Sequence, residues 1–271
     1  MKKKLKKTLP KRIRIFVDYF LNNKFKSFSL RSQLIPAKQY SDFFIYMSNI
    51  YENSFIVENI FSLIQSEKHL VEHQINFYES NGELIHIEKY TSNNFIDHFK
   101  LPNLITDSKY ISFTHQIKSL SKPSLDFNNF FKNNLLSFQH RGYSLIKKNK
   151  ESLGSIVHGN SGAIDSAKDK KSELEIKKHY FRYTPVYKFE DDNEYDLVFN
   201  NPTNKVLKIK VILINKKNLI YNLSIKPFGS DYIEIINYEG MINFISKLPI
   251  CRSIIFKNPN KKNNSFDVFH S

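Results

Sequence analysis

The amino-acid sequence predicts a mainly β protein: two antiparallel β-sandwich units in tandem, jelly-roll or Ig-like, behind a short N-terminal amphipathic helix. Three observations carry that expectation. Short runs of β-prone residues alternate apolar and polar side chains through much of the chain. Turn signals separate them at the roughly eight- to twelve-residue spacing of sandwiches and small barrels. And residues 70–90 (LVEHQINFYESNGELIHIEKY) and 206–227 (VLKIKVILINKKNLIYNLSIKP) share one pattern of strand, polar turn and strand, as two copies of a unit would.

Length and composition agree. A chain of 271 residues can bury one large core or two ordinary ones, and the paired blocks favour two. Hydrophobic residues at 41% and charged residues at 25% give a globular balance rather than a disordered one. The single cysteine, Cys251, excludes an intrachain disulfide, so the fold does not depend on an oxidising compartment.

The net charge of +15 is largely local, because residues 1–14 hold eight Lys or Arg and no acid. The remaining body is only mildly basic. Its arginines are few (Arg12, Arg14, Arg31, Arg141, Arg182 and Arg252), whereas nucleic-acid readers lean on the planar arginine fork. Nucleic acid is therefore disfavoured as a partner.

In chain order, residues 1–26 form a basic arm and a helix. Ile13, Phe16, Val17, Phe20 and Leu21 share one helical face, and Pro10 suits the first turn. Such a face normally packs on a neighbouring sheet. The alternative is a membrane-surface or polyanion binder acting through this basic N-terminus. Arg14, Asp18, Asn22 and Asn23 interrupt any signal-peptide core, and no run is long enough to span a bilayer. A cytoplasmic location is the expectation.

Residues 27–122 form the first unit. Its strongest signal is the Asn81-Gly82 turn between 70–78 and 83–90, a hairpin signature. A strand at 110–117 (YISFTHQI) closes the block before Pro123. Residues 123–182 connect the units: an aromatic stretch from Leu125 to Phe138, a glycine-rich stretch, then a charged excursion (DSAKDKKSELEIKKH, 165–179). Residues 183–271 form the second unit. Here Leu207, Ile209, Val211 and Leu213 alternate with lysines, and further runs lie at 195–200, 219–225, 231–236, 241–246 and 251–257. The tail (FDVFH, 266–270) reads as a docked last strand.

The candidate site is the stretch 139–165. It holds four of the seven glycines (Gly142, Gly154, Gly159 and Gly162) among His140, Arg141, Tyr143, His158 and Asn160, with Arg182 next along the chain. Glycine permits close backbone approach, and an arginine grips a carboxylate or phosphate through paired hydrogen bonds. Tyrosine, asparagine and histidine displayed on a sheet suit sugar hydroxyls and sugar faces. A non-catalytic or accessory protein that binds a glycan or small anionic ligand is the expected function. The alternative is a hydrolase or other enzyme, with His140 and His158 as acid and base and an arginine clamp.

No cofactor or metal is expected. The nine histidines are scattered, and His69 and His73, four apart, fall in a strand-like run where that spacing does not converge on a metal. Neither a phosphate-binding loop of the Walker type nor a Gly-x-Gly-x-x-Gly turn is present.

Gly159-Asn160-Ser161-Gly162 resembles the Gly-x-Ser-Gly turn around the nucleophile of chymotrypsin-like serine proteases. The resemblance covers these four residues. It implies that Ser161 is a nucleophile served by one of His73, His86 or His115 with Asp107 or Asp126. Ala163 stands where that family continues with glycine, and 110 residues follow Ser161, more than the family places there.

Overall fold

The computed structural model describes residues 39–48, 50–121, 142–150, 153–159, 181–185, 187–201, 206–214, 219–246, 253–260 and 266–271; for 39–42 and 181–183 the backbone alone is described. All of them belong to one compact unit, Ser32–Ser271. Strand accounts for 58% of the described residues and helix for 4%, so the fold is mainly β.

In chain order the strands are β1 (Gln39–Met47), β2 (Glu52–Glu58), β3 (Val71–Tyr78), β4 (Leu84–Ser92), β5 (Ile96–Lys100), β6 (Tyr110–Ser119), β7 (Gly142–Lys147) and β8 (Ser155–His158). There follow β9 (Phe181–Tyr183), β10 (Tyr195–Asn200), β11 (Leu207–Leu213), β12 (Ile220–Ile225), β13 (Ser230–Ile235), β14 (Ile242–Ser246), β15 (Ile254–Lys257) and β16 (Asp267–His270). They make four antiparallel sheets of four strands. The first has the order β1-β6-β3-β4, the second β5-β2-β7-β8, the third β13-β10-β15-β16 and the fourth β12-β11-β14-β9.

Among the described residues one helix, α1 (Ile60–Gln65), interrupts the strands. The Asn59 side chain starts it by accepting from the Ser62 amide, and Ser66 ends it in the left-handed conformation. The Asn59 amide also donates to the His69 carbonyl at 2.9 Å, anchoring the helix to the approach to β3.

The expected pair of tandem β-sandwich units is corrected by this arrangement: the four small sheets stand in a propeller-like ring. Each has the strand count of a propeller blade, but none is built from four consecutive strands, because the chain moves between sheets as it runs. The physical reason lies in burial. A sandwich strand buries one face and wets the other, whereas β1 buries both. Phe44 and Tyr46 enter a cluster with Phe55, Val57, Ile75, Phe77, Ile111 and Phe113, between the first and second sheets. Ile45 and Met47, facing the other way, enter a cluster with Ile146, Val157, Val198, Ile254, Phe256 and Val268, drawn from the second and third sheets. All six residues of β10 are buried as well. A core shared by three sheets leaves no boundary between two separate sandwiches.

Polar contacts join the same elements. The Tyr110 hydroxyl donates to Asp196 Oδ2 at 2.6 Å, and Lys109 Nζ lies 2.6 Å from that oxygen. Burial together with the Asp196 carboxylate drives the Tyr110 hydroxyl well above the usual phenol range. The Asn200 amide donates to the Phe43 carbonyl at 3.1 Å, and the Ser230 hydroxyl to the Tyr110 carbonyl at 2.9 Å.

The predicted Asn-Gly hairpin forms between β3 and β4. Gly82 sits at φ +85°, and Asn81 Oδ1 accepts from the Glu83 amide at 2.8 Å. Its turn lies against the corner between β12 and β13. The Ser230 amide donates to the Ser80 carbonyl at 3.2 Å, and a Cβ on Gly82 would fall 1.9 Å from the Pro227 carbonyl oxygen. Phe43, Tyr78 and Phe228 stack beside this contact. The amphipathic helix expected within residues 1–26 lies outside the described residues. Among the described residues, no helix is long and apolar enough to cross a membrane.

Candidate functional site

Period-two alternation gives the second sheet two chemically distinct faces. Phe55, Val57, Ser144, Ile146 and Val157 point inward and are buried. Their neighbours in sequence, Ile56, Tyr143 and His158, therefore point outward. The strand register aligns these outward residues. His98 lies opposite Ile56, Ile56 opposite Tyr143, and Tyr143 opposite His158, so a single row crosses all four strands. The adjacent row is Lys100, Ser54, Leu145 and Ile156, and Lys147 faces Glu52 beyond it. Tyr143 at 39% and Ile156 at 58% exposure make this an open, partly apolar surface.

The row continues into the third sheet. The rings of His158 and His270 lie 4.0 Å apart at 32°. His270 Nε2 donates to the His158 carbonyl at 2.6 Å, and His158 Nδ1 donates to the Gly159 carbonyl at 2.9 Å. Both bonds require a proton on the named nitrogen, which sets the tautomer of each ring. The Ser155 hydroxyl, donating to Asp267 at 3.1 Å, ties β8 to β16 a second time.

Of the six residues nominated from sequence, the structure brings Tyr143 and His158 together as a cross-strand pair. Arg182 is placed by its backbone in β9, opposite Ile245 of the fourth sheet. His140, Arg141 and Asn160 lie outside the described residues, as does Ser161 of the protease-like turn. Gly142 has a role other than ligand approach: a Cβ there would meet the Phe55 ring at 2.2 Å, so glycine makes room for the core. His98, Ile56 and His270 join the face without having been nominated. Alternation in residues 96–100 (IDHFK), with Ile96, His98 and Lys100 on one side, was the available signal.

A second constellation lies on the inner face. His73 of β3 and His115 of β6 are fully buried, with His73 Nδ1 2.9 Å from His115 Nε2. His73 Nε2 lies 3.2 Å from Asp97 Oδ2, out of line for a hydrogen bond. Asp97 Oδ1 accepts from the Ser92 hydroxyl at 2.7 Å and the Asn94 amide at 3.0 Å. Burial pulls His73 down to about 4 against the opposing pull of the Asp97 carboxylate. Two histidines nominated as protease partners thus do meet, but around Asp97 rather than Asp107, and in the core where no substrate reaches them. Among the described residues, no group of three His, Cys, Asp or Glu is placed to hold a metal ion.

Set against protein-family models and curated proteins, the chain matches none, and its function is read from this geometry.

Proposed function

We propose that the protein is a non-catalytic binder of a glycan, carried on the outer face of the second sheet by Tyr143, His158 and His270. The observation that supports this reading is the cross-strand pair of Tyr143 and His158, extended by the His270 ring. A flat strand surface with one exposed phenol and two imidazoles offers a face for a sugar ring and planar polar groups for its hydroxyls. Lys100 and Lys147 on neighbouring rows suit a carboxylated sugar over a neutral one.

The test is a thermal-shift screen against neutral and uronic-acid oligosaccharides, followed by calorimetric titration of any hit. A ligand that prefers the folded state raises the melting temperature. Tyr143→Ala should weaken binding at least about tenfold, a loss of roughly 1.4 kcal/mol, while leaving the unliganded melting temperature nearly unchanged. A screen without any shift, or a hit bound equally by the Tyr143→Ala variant, overturns the reading.

A further inference from the structure

We infer that the outer face of the fourth sheet is a docking surface for an anionic lipid bilayer, engaged through Lys208, Lys210 and the isoleucines beside them, Ile212, Ile220 and Ile245. The inference is independent of the proposed glycan, whose residues lie on the second and third sheets, and of the basic arm at residues 1–26.

Alternation places the residues. Leu207, Ile209, Val211 and Leu213 of β11 are buried, so Lys208, Lys210 and Ile212 between them point outward. The register carries that face across the sheet. Lys208 lies opposite Ser224, Lys210 opposite Asn222 on one side and Ile245 on the other, and Ile212 opposite Ile220 and Asn243. Arg182 holds, by its backbone, the position opposite Ile245 on β9. A row from Asn222 through Lys210 and Ile245 to Arg182 thus crosses all four strands. Lys208 and Lys210 stand about 7 Å apart along β11, and Lys210 and the Arg182 position about 10 Å apart across the strands.

Charge sets the sign of the partner. Among the described residues that point outward from these four strands, none is acidic. Lysines on other sheets have carboxylates to hand: Lys89 lies 3.7 Å from Glu72 on the first sheet, and Lys257 lies 3.2 Å from Glu190 beside the third. Lys208 and Lys210 make no ion pair among the described residues. Glu239, which precedes β14, is already paired with Lys188.

Shape and apolar content narrow the class. Ile220 is 42% exposed, and Ile212 and Ile245 are half-buried. Cations and isoleucines side by side on a flat face suit a bilayer, where ammonium groups meet anionic headgroups and apolar side chains reach the acyl boundary. Nucleic acid fits less well. Four strands measure about 14 Å across, wider than a major groove of about 12 Å. The outward positions of these strands, among the described residues, carry no aromatic ring on which an unpaired base could stack.

Vesicle binding by the full chain tests the face. Co-sedimentation with vesicles of phosphatidylcholine containing about one third phosphatidylserine should be strong at about 0.05 M salt and lost at about 0.5 M. A Lys208→Glu, Lys210→Glu variant should bind at least about tenfold more weakly, whereas the same change of charge at Lys89 and Lys118 of the first sheet should leave binding nearly unchanged. If the reversed variant does not fold, Lys208→Gln, Lys210→Gln serves instead and should weaken binding in the same direction. The chain contains no tryptophan, so an Ile220→Trp variant carries one local reporter. Its emission should move to shorter wavelength on the anionic vesicles and be quenched by brominated acyl chains, while an Ile87→Trp reporter on β4 stays unchanged. Three results each overturn the inference: equal losses from the two pairs of lysines, an Ile220→Trp emission that does not move on vesicle-bound protein, or lysine variants that lose single-stranded DNA but keep the vesicles.

Discussion

The inner and outer faces of the second sheet are built from alternate residues of the same strands, yet they carry opposite chemistry. Asp97 is buried against His73, while His98, the next residue, is exposed at the end of the outer row. Ser144 is buried and Tyr143 is open to solvent. Histidine appears on both sides, and its surroundings decide what it does. On the inside, desolvation and a fixed partner make an imidazole part of the framework; on the outside, a half-buried ring beside a tyrosine remains in contact with solvent. A residue type is therefore a poor guide to function until the face it occupies is known.

Substitutions that cross between the faces sharpen this contrast. The largest effect is expected for Asp97→Ala, which strips a buried carboxylate from His73, Ser92 and Asn94 and should cost about 3 kcal/mol in denaturant unfolding at pH 7. The matching outer change, His98→Ala, should stay within about 0.5 kcal/mol. If the two cost the same, the division between faces is wrong. Next comes Gly142→Ala, whose methyl would meet the Phe55 ring and should cost about 1–3 kcal/mol by overpacking. Its neighbour provides the smallest effect. Tyr143→Ala should move stability by no more than about 0.5 kcal/mol, measured the same way, so that any loss of ligand binding is assigned to the surface and not to the fold.

Much of the local structure was legible from sequence. The Asn81-Gly82 hairpin, the run of Leu207 to Leu213 and the run beginning at Tyr110 all formed strands, because side-chain period and turn chemistry are local properties. The helix α1 was not read, since six residues with a single capping asparagine give too short a periodic signal. The assembly of the sheets was beyond local reading. Nothing in the strand at 39–47 announces that Phe44 and Ile45 will serve different cores, and that double burial is what separates the ring of four sheets from a tandem pair of sandwiches. At the site, Tyr143 and His158 could be nominated because they flank glycines. Their registration with His98 and Ile56, and the approach of His270, depend on pairings between distant segments that periodicity leaves open.

The contact between the turn at Gly82 and the corner at Gly229 also bears on how the molecule is made. Ser80 receives its hydrogen bond from Ser230, so the hairpin near the start of the described chain is held by residues that leave the ribosome long after it. During synthesis the early strands must wait, with the stacking surface of Phe43 and Tyr78 uncovered, until Phe228 arrives to close it. Nascent chains stalled before that position should be more open to proteases than chains stalled beyond it.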